Sequence, residues 1–108
     1  MTDFEKFVNY VEAKTRIKFY AELAQQDDID EYKQDTGRDL EYVVGNLGEV
    51  RIILGHSFGE KGDEDFMFAI DDPQEPEIYE GISSWKEAAE NCVRFISIFY
   101  FILKWNNQ

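Results

Sequence analysis

The spacing of apolar residues changes twice along this chain, and this change restricts the fold more than any other feature. Near both ends, apolar residues recur every three or four positions, which is the spacing of an amphipathic helix. In the middle they recur at every second position, which is the spacing of a strand with one buried face. The chain therefore predicts helices at its ends and strands between them, in an α+β fold.

The N-terminal part predicts a long helix followed by a short one. The first pattern begins at a capping box, Thr2-Asp3-Phe4-Glu5, and runs without Gly or Pro to about Gln26. Its apolar stripe shifts near Lys14-Thr15. A second helix is predicted over residues 29–36, capped by Asp27 or Asp28 and stopped by Gly37.

The middle of the chain predicts three strands, over residues 40–44, 50–54 and 66–70. The sequence Gly45-Asn46-Leu47-Gly48 has the composition of a hairpin turn, and residues 71–81 contain both prolines and are predicted to form a loop. A second capping box, Ser84-Trp85-Lys86-Glu87, begins the last helix. The predicted architecture is a three-stranded antiparallel meander packed against an N-terminal and a C-terminal helix, in the order α-short α-β-β-β-α.

Length and cysteine content predict the class and location of the protein. A chain of 108 residues corresponds to one domain, here residues 1–108. Its single cysteine, Cys92, allows no internal disulfide, and no secretory signal is visible at the N-terminus. The longest apolar run, residues 95–103, is too short to span a bilayer. We therefore expect a cytoplasmic protein.

Negative charge is concentrated in the middle of the chain. The formal net charge is −12, and residues 25–82 alone carry −13 with seventeen acids against four bases, so the two ends are nearly neutral. Thirteen carboxylates in three clusters are predicted to contact a partner. They are Asp27, Asp28, Asp30 and Glu31; Glu60, Asp63, Glu64 and Asp65; and Asp71, Asp72, Glu75, Glu77 and Glu80.

This charge pattern predicts a binding protein. A chain so acidic repels nucleic acid and anionic membranes, so we expect no direct contact with either. An acidic face instead suits a basic protein surface, such as that of a nuclease or DNA-binding machine, where carboxylates imitate phosphates and Tyr32, Tyr42 and Tyr79 pack beside them. Small acidic inhibitors from phages and the immunity partners of toxins share this character, which is an analogy of composition.

The sequence contains partial matches to enzymatic motifs, but none has the context or spacing that the chemistry needs. Asp35-Thr36-Gly37 matches the aspartic-protease tripeptide, but it does not follow an apolar strand. The acid clusters lack the ligand spacing of a calcium-binding EF-hand loop, and no glycine-rich phosphate loop is present. His56 is interpreted as a loop-edge residue and Cys92 as a core residue rather than a base and a nucleophile. We predict no enzyme, cofactor or metal.

The last helix supports an alternative function. From residue 95 to residue 103 it is apolar around most of its circumference, and one face alone packs on the sheet. The rest either meets the first helix or forms a seam with a second copy of the chain. In that alternative the protein is a homodimeric structural or interaction protein that self-associates through Phe95, Ile98, Phe101 and Ile102.

Overall fold

Four antiparallel strands form one sheet in chain order, accompanied by three helices. The computed structural model describes residues 1–21, 25–73 and 76–106, without the side chains of residues 25 and 99–106. The elements are α1 (Asp3–Thr15), α2 (Gln25–Thr36), β1 (Asp39–Leu47), β2 (Val50–Phe58), β3 (Glu64–Asp71), β4 (Glu77–Ile82) and α3 (Trp85–Asn106). The predicted α+β class is confirmed.

The hydrophobic core lies between one face of the sheet and the pair α1 and α3. Alternate residues of β2 and β3 point to this face, as the period of two requires, and the helices contribute apolar residues one turn apart. The fully buried members include Phe7, Val11, Ile52, Leu54, Phe66, Phe68 and Cys92. We call this the covered face of the sheet.

The prediction of three strands is wrong, because residues 77–82 form β4 rather than a loop. Tyr79 pairs with Phe68 and Ile82 pairs with Phe66, so β4 holds one extra residue between these two pairs. Gly81 lies in this bulge with φ +74°, a left-handed conformation that favours glycine. The bulge returns Ile82 to the covered face. The element order is therefore α-α-β-β-β-β-α.

The prediction of one long N-terminal helix to about Gln26 is also wrong. The capping box at Thr2 and Glu5 is present, but α1 ends at Thr15, and Arg16 adopts a left-handed conformation with φ 61°. The hydroxyl of Thr15 accepts a hydrogen bond from the amide of Ile17, which helps to turn the chain. The chain then follows the edge of β1, where Tyr20 and Val44 exchange two backbone hydrogen bonds of 2.8 and 2.9 Å.

The turns differ from prediction in detail. Helix α2 begins at Gln25, earlier than predicted, and ends as expected before Gly37, whose φ is +74°. The first hairpin turns at Gly48 and Glu49, so Gly45 lies within β1. A Cβ on Gly45 would stand 2.7 Å from Cγ2 of Ile17, so glycine is needed there for close approach of the segment after α1.

Candidate acidic interface

Helix α2 lies on the opposite side of the sheet from α1 and α3, where it contacts β1. The pairing register places Tyr42 and Ser57 on this second face, since their neighbours Val43, Leu54 and His56 belong to the covered face. The hydroxyls of Tyr32 and Ser57 are hydrogen-bonded at 2.8 Å, and Tyr42 donates a hydrogen bond of 2.9 Å to Asp28. Polar side chains therefore link α2 to the sheet.

The first predicted cluster lies on α2 and is exposed to solvent. Asp27, Asp30 and Glu31 are exposed, and Asp28 is exposed as well although it accepts the bond from Tyr42. Asp30 also accepts a hydrogen bond from the side-chain amide of Gln26. Helical spacing puts Asp27 and Glu31 one turn apart on the same side of α2. The helix thus presents carboxylates outward.

Arg38 joins the end of α2 to the loop between β2 and β3. Its Nε donates to Ser57 Oγ at 2.9 Å, and its guanidinium also binds Asp63 and lies 3.7 Å from Asp65. The hydrogen bond with Asp63 raises the pKa of Arg38 and lowers the pKa of Asp63. This ion pair orders the loop and neutralises part of the second predicted cluster.

Lys33 links α2 to the first residue of β1. Its Nζ lies 2.9 Å from Asp39 Oδ1, and this hydrogen bond raises the pKa of Lys33. The negative charge of Glu60 raises that pKa further, and the ion pair of Arg38, which follows α2, with Asp63 ties the β2–β3 loop to this end of α2. The first and second clusters therefore belong to one surface, which we call the acidic surface. Residues 25–41 and 58–65 give it nine carboxylates and three basic residues, a formal charge of −6, when Glu41 and Glu64 are left out because they contact His56 on the covered face.

The third predicted cluster is not brought to this surface. Asp71 ends β3 and Glu77 begins β4, so both lie at the opposite end of the sheet from the β2–β3 loop. Asp71 is 3.7 Å from Arg51, and Glu80 lies on β4, at the edge away from β1. Asp72 follows β3 directly, and Glu75 lies outside the described residues. The antiparallel topology separates this cluster from the others.

A buried histidine was missed by the prediction of a loop-edge residue. His56 is 9% exposed within β2, and its ring stacks on Phe58 and Phe66 at centroid distances of 5.0 and 4.8 Å. Its Nδ1 lies 2.8 Å from Glu41 and its Nε2 lies 2.7 Å from Glu64. Because both ring nitrogens already face carboxylates, neither is placed to accept a proton from a substrate. Glu64 is correspondingly engaged within the protein.

Cys92 lies in the core, as predicted. Its side chain is fully buried on α3, and this burial raises the pKa of the thiol to about 12. The thiol therefore forms little of the thiolate that nucleophilic catalysis needs. Within the described residues, no group of three or more His, Cys, Asp or Glu side chains is arranged to hold a metal ion.

The predicted self-association residues of α3 have different environments. Phe95 packs inside the same chain against Phe68 and Tyr79, at ring distances of 5.9 and 4.5 Å. Ile98 is 53% exposed. The side chains of Phe101 and Ile102 lie outside the described residues. None of the described helices has the length and hydropathy needed to cross a membrane.

The packing tyrosines of the predicted interface are engaged as well. Tyr32 and Tyr42 are partly buried with their hydroxyls bound between α2 and the sheet. Tyr79 stacks on Phe68 and Phe95, and the hydrogen bond that it donates to Glu77 raises its pKa.

No family model matches the chain, and no curated protein or solved structure is significantly similar to it.

Proposed function

We propose that this chain is a small non-enzymatic binding protein whose acidic surface docks on a basic surface of a partner protein. The observation that carries the proposal is the placement of α2. This helix presents Asp27, Asp30 and Glu31 to solvent, and the ion pair between Arg38 and Asp63 holds the β2–β3 loop beside its C-terminal end. Like charges gathered in this way oppose folding, so a role in recognition gives a reason for their position.

The chemistry of this surface suits a partner that binds nucleic acid. Lys and Arg side chains that grip phosphates are arranged to receive several negative charges on one side. A helix that carries carboxylates one turn apart holds such charges at fixed positions, and their electrostatic field raises the rate of association with a basic partner. We therefore propose that the protein is an inhibitor or nucleic-acid mimic, similar in kind to the inhibitors that phages encode or to the immunity proteins that bind toxins. The third cluster takes no part in it.

A binding assay with paired charge reversals tests the proposal. The chain is titrated into a panel of purified basic nucleases and DNA-binding proteins by calorimetry, at low salt and at about 0.5 M salt. Asp27→Lys combined with Glu31→Lys reverses two exposed charges on α2. Glu87→Lys combined with Glu90→Lys makes the same charge change on α3, and Glu87 and Asp27 both lie in a first helical turn.

The expected result is salt-sensitive binding that the α2 pair weakens at least tenfold and the α3 pair changes about twofold or less. Electrostatic attraction between exposed charges is screened over about 10 Å at 0.1 M salt, and over less at higher salt. Inhibition of nuclease cleavage is the functional readout. An affinity that does not change with salt, or equal losses of affinity in the α2 and α3 double variants, would refute docking through the acidic surface.

A second candidate is self-association through α3, which the exposure of Ile98 favours. The helix has 22 residues against 13 in α1, so at about 1.5 Å per residue it continues roughly 13 Å further than α1 could cover. Sedimentation of the wild type, Ile98→Glu and Phe101→Glu tests this candidate. A dimer that both variants dissociate supports it, and a monomer at all concentrations rejects it.

A further inference from the structure

The outer edge of β4 is open. The sheet order makes β4 an edge strand, and within the described residues no other segment pairs with its outer side. The β1 edge differs, because the bridge between Tyr20 and Val44 covers part of it. An edge strand presents unpaired N–H and C=O groups, onto which an extended segment of another chain adds by backbone hydrogen bonding.

An apolar groove runs beside this open edge, between β4 and α3. Its volume is about 420 Å³, and its lining includes Phe68, Tyr79 and Ile82 of the sheet with Asn91 and Phe95 of α3. The groove exists because α3 packs mainly against α1 and β3, and only lightly against β4. Ile78, on the same strand, is 65% exposed. Apolar surface therefore lies within reach of a strand that would pair with β4.

Charge determines which chain fits this edge. Glu77 and Glu80 are both exposed on β4, and the strand itself carries no basic residue. A second copy pairing through the same edge would bring together two strands that each carry two glutamates and no basic residue, which is unfavourable for like charges on neighbouring strands. A segment that carries Lys or Arg would instead pair with them.

We propose that the β4 edge and its groove bind an extended basic segment of a partner protein, in which apolar residues alternate with Lys or Arg. The backbone of the segment adds as a fifth strand, its apolar side chains enter the groove, and its cations lie on the other face of the added strand, beside Glu80. Glu77 lies on the groove side, opposite Ile70, and accepts a hydrogen bond from Tyr79. This site is separate from the acidic surface on α2, and the proposal does not depend on the function proposed for that surface.

The test uses three capped hexapeptides and isotope-labelled protein. One peptide alternates lysine with valine, the second alternates glutamate with valine, and the third alternates lysine with serine. Backbone amide shifts are followed by NMR during each titration. We expect the lysine–valine peptide to shift the amides of residues 77–82 and Asn91, the glutamate–valine peptide to bind at least tenfold more weakly, and the lysine–serine peptide to lose most of the affinity.

Two variants with the same charge change place the site. Glu80→Lys should weaken the lysine–valine peptide at least fivefold, whereas Glu49→Lys, at the exposed β1–β2 turn, should change its affinity twofold or less. The Asp27→Lys and Glu31→Lys pair should leave the β4 shifts in place, which distinguishes this site from the acidic surface. Shifts confined to α2, equal binding of the lysine–serine peptide, or no shift at millimolar peptide would each overturn the proposal. So would β4 shifts that grow with protein concentration in the absence of peptide, because a second copy would then occupy the edge.

Discussion

The two faces of the sheet are held to their helices by different chemistry. On the covered face, α1 and α3 pack through side chains such as Phe7, Phe66 and Phe68, which are fully buried. On the other face, α2 is linked through the hydroxyls of Tyr32 and Tyr42, with Met67 only partly buried nearby on the sheet. Removal of apolar surface from water supplies most of the stabilising free energy of a small domain.

This difference explains how a chain of net charge −12 still folds. The covered face stabilises the fold without needing the charged helix, so α2 is free to carry carboxylates that would be unfavourable in a core. The second face buries the smaller side chains of Val44 and Ala69 but none of the largest fully buried ones, and an acidic helix is tolerated there.

The largest effect is expected on the covered face. Phe7→Ala removes a ring that is 0% exposed and meets Phe66 edge-on at 5.9 Å. We expect a loss of about 3–5 kcal/mol in the free energy of unfolding, because the cavity adds to the lost burial. Urea denaturation followed by circular dichroism measures it. A loss below about 1 kcal/mol would show that α1 contributes little to the core.

A smaller effect is expected at the histidine of the same face. His56→Phe keeps a flat ring between Phe58 and Phe66 but removes the hydrogen bonds to Glu41 and Glu64. Hydrogen bonds to charged groups contribute about 1.5–3 kcal/mol, and both carboxylates are partly exposed and regain water. We therefore expect a loss of about 1–2 kcal/mol by the same denaturation experiment. A variant as stable as the wild type would mean that stacking alone holds this position.

On the second face, Tyr32→Phe should lower the free energy of unfolding by about 0.5–1.5 kcal/mol at most. The substitution removes one hydrogen bond, which joins Tyr32 to the hydroxyl of Ser57. Its clearer signature is local. Amide hydrogen exchange should speed up in α2 while the amides of β2 and β3 keep their protection. If exchange accelerates equally in the sheet, the two faces are coupled more tightly than their contacts indicate.

The smallest effect concerns the ion pair that orders the β2–β3 loop. Arg38→Met should raise the pKa of Asp63 toward its ordinary value of 3.8, because the hydrogen bond from Arg38 lowers it in the wild type. In the wild type the stabilisation from this pair is present above the ordinary pKa and is lost as the pH falls through the lower folded value. Carbonyl NMR titration of Asp63 measures both proteins. An unchanged pKa in the variant would show that another group holds this carboxylate.

Much of the fold could be predicted because its signals are local. The capping box at Thr2, the glycine stop at Gly37 and the alternation along the first three strands depend on neighbours in sequence. The end of α1 depends on more distant partners. No Gly or Pro marks it, and Arg16 takes a conformation usually left to glycine, while Ile17 and Phe19 are buried on alternate positions beside β1. The alternation of Ile17 and Phe19 is the sequence feature from which the end of α1 could have been predicted.

Strand β4 was missed because its pattern is broken. Pro73 and Pro76 precede it, and the bulge at Gly81 interrupts its period of two, so Glu77 to Ile82 has the composition of a loop. The strand forms because β3 offers it an edge and Tyr79 stacks between Phe68 and Phe95. Such pairing is set by tertiary contacts and not by propensity.

The candidate site was predictable in composition but not in arrangement. The carboxylates of the first two clusters could be identified from charge alone, yet their position on one surface depends on Arg38, which follows α2 and binds both Ser57 of β2 and Asp63 of the β2–β3 loop. Strand direction sends Asp71 and Glu77 to the other end of the sheet. The environment of His56 likewise depends on register, since Glu41 lies opposite it on β1.

The most direct test of the account is a residue-level map of the bound surface. The isotope-labelled chain is mixed with whichever basic protein of the panel binds it most tightly, and amide shifts are compared between the two sides of the sheet. The account predicts changes over α2 and residues 58–65, with α1 and the first half of α3 unchanged. A footprint on α1 and α3 that spares α2 would contradict it.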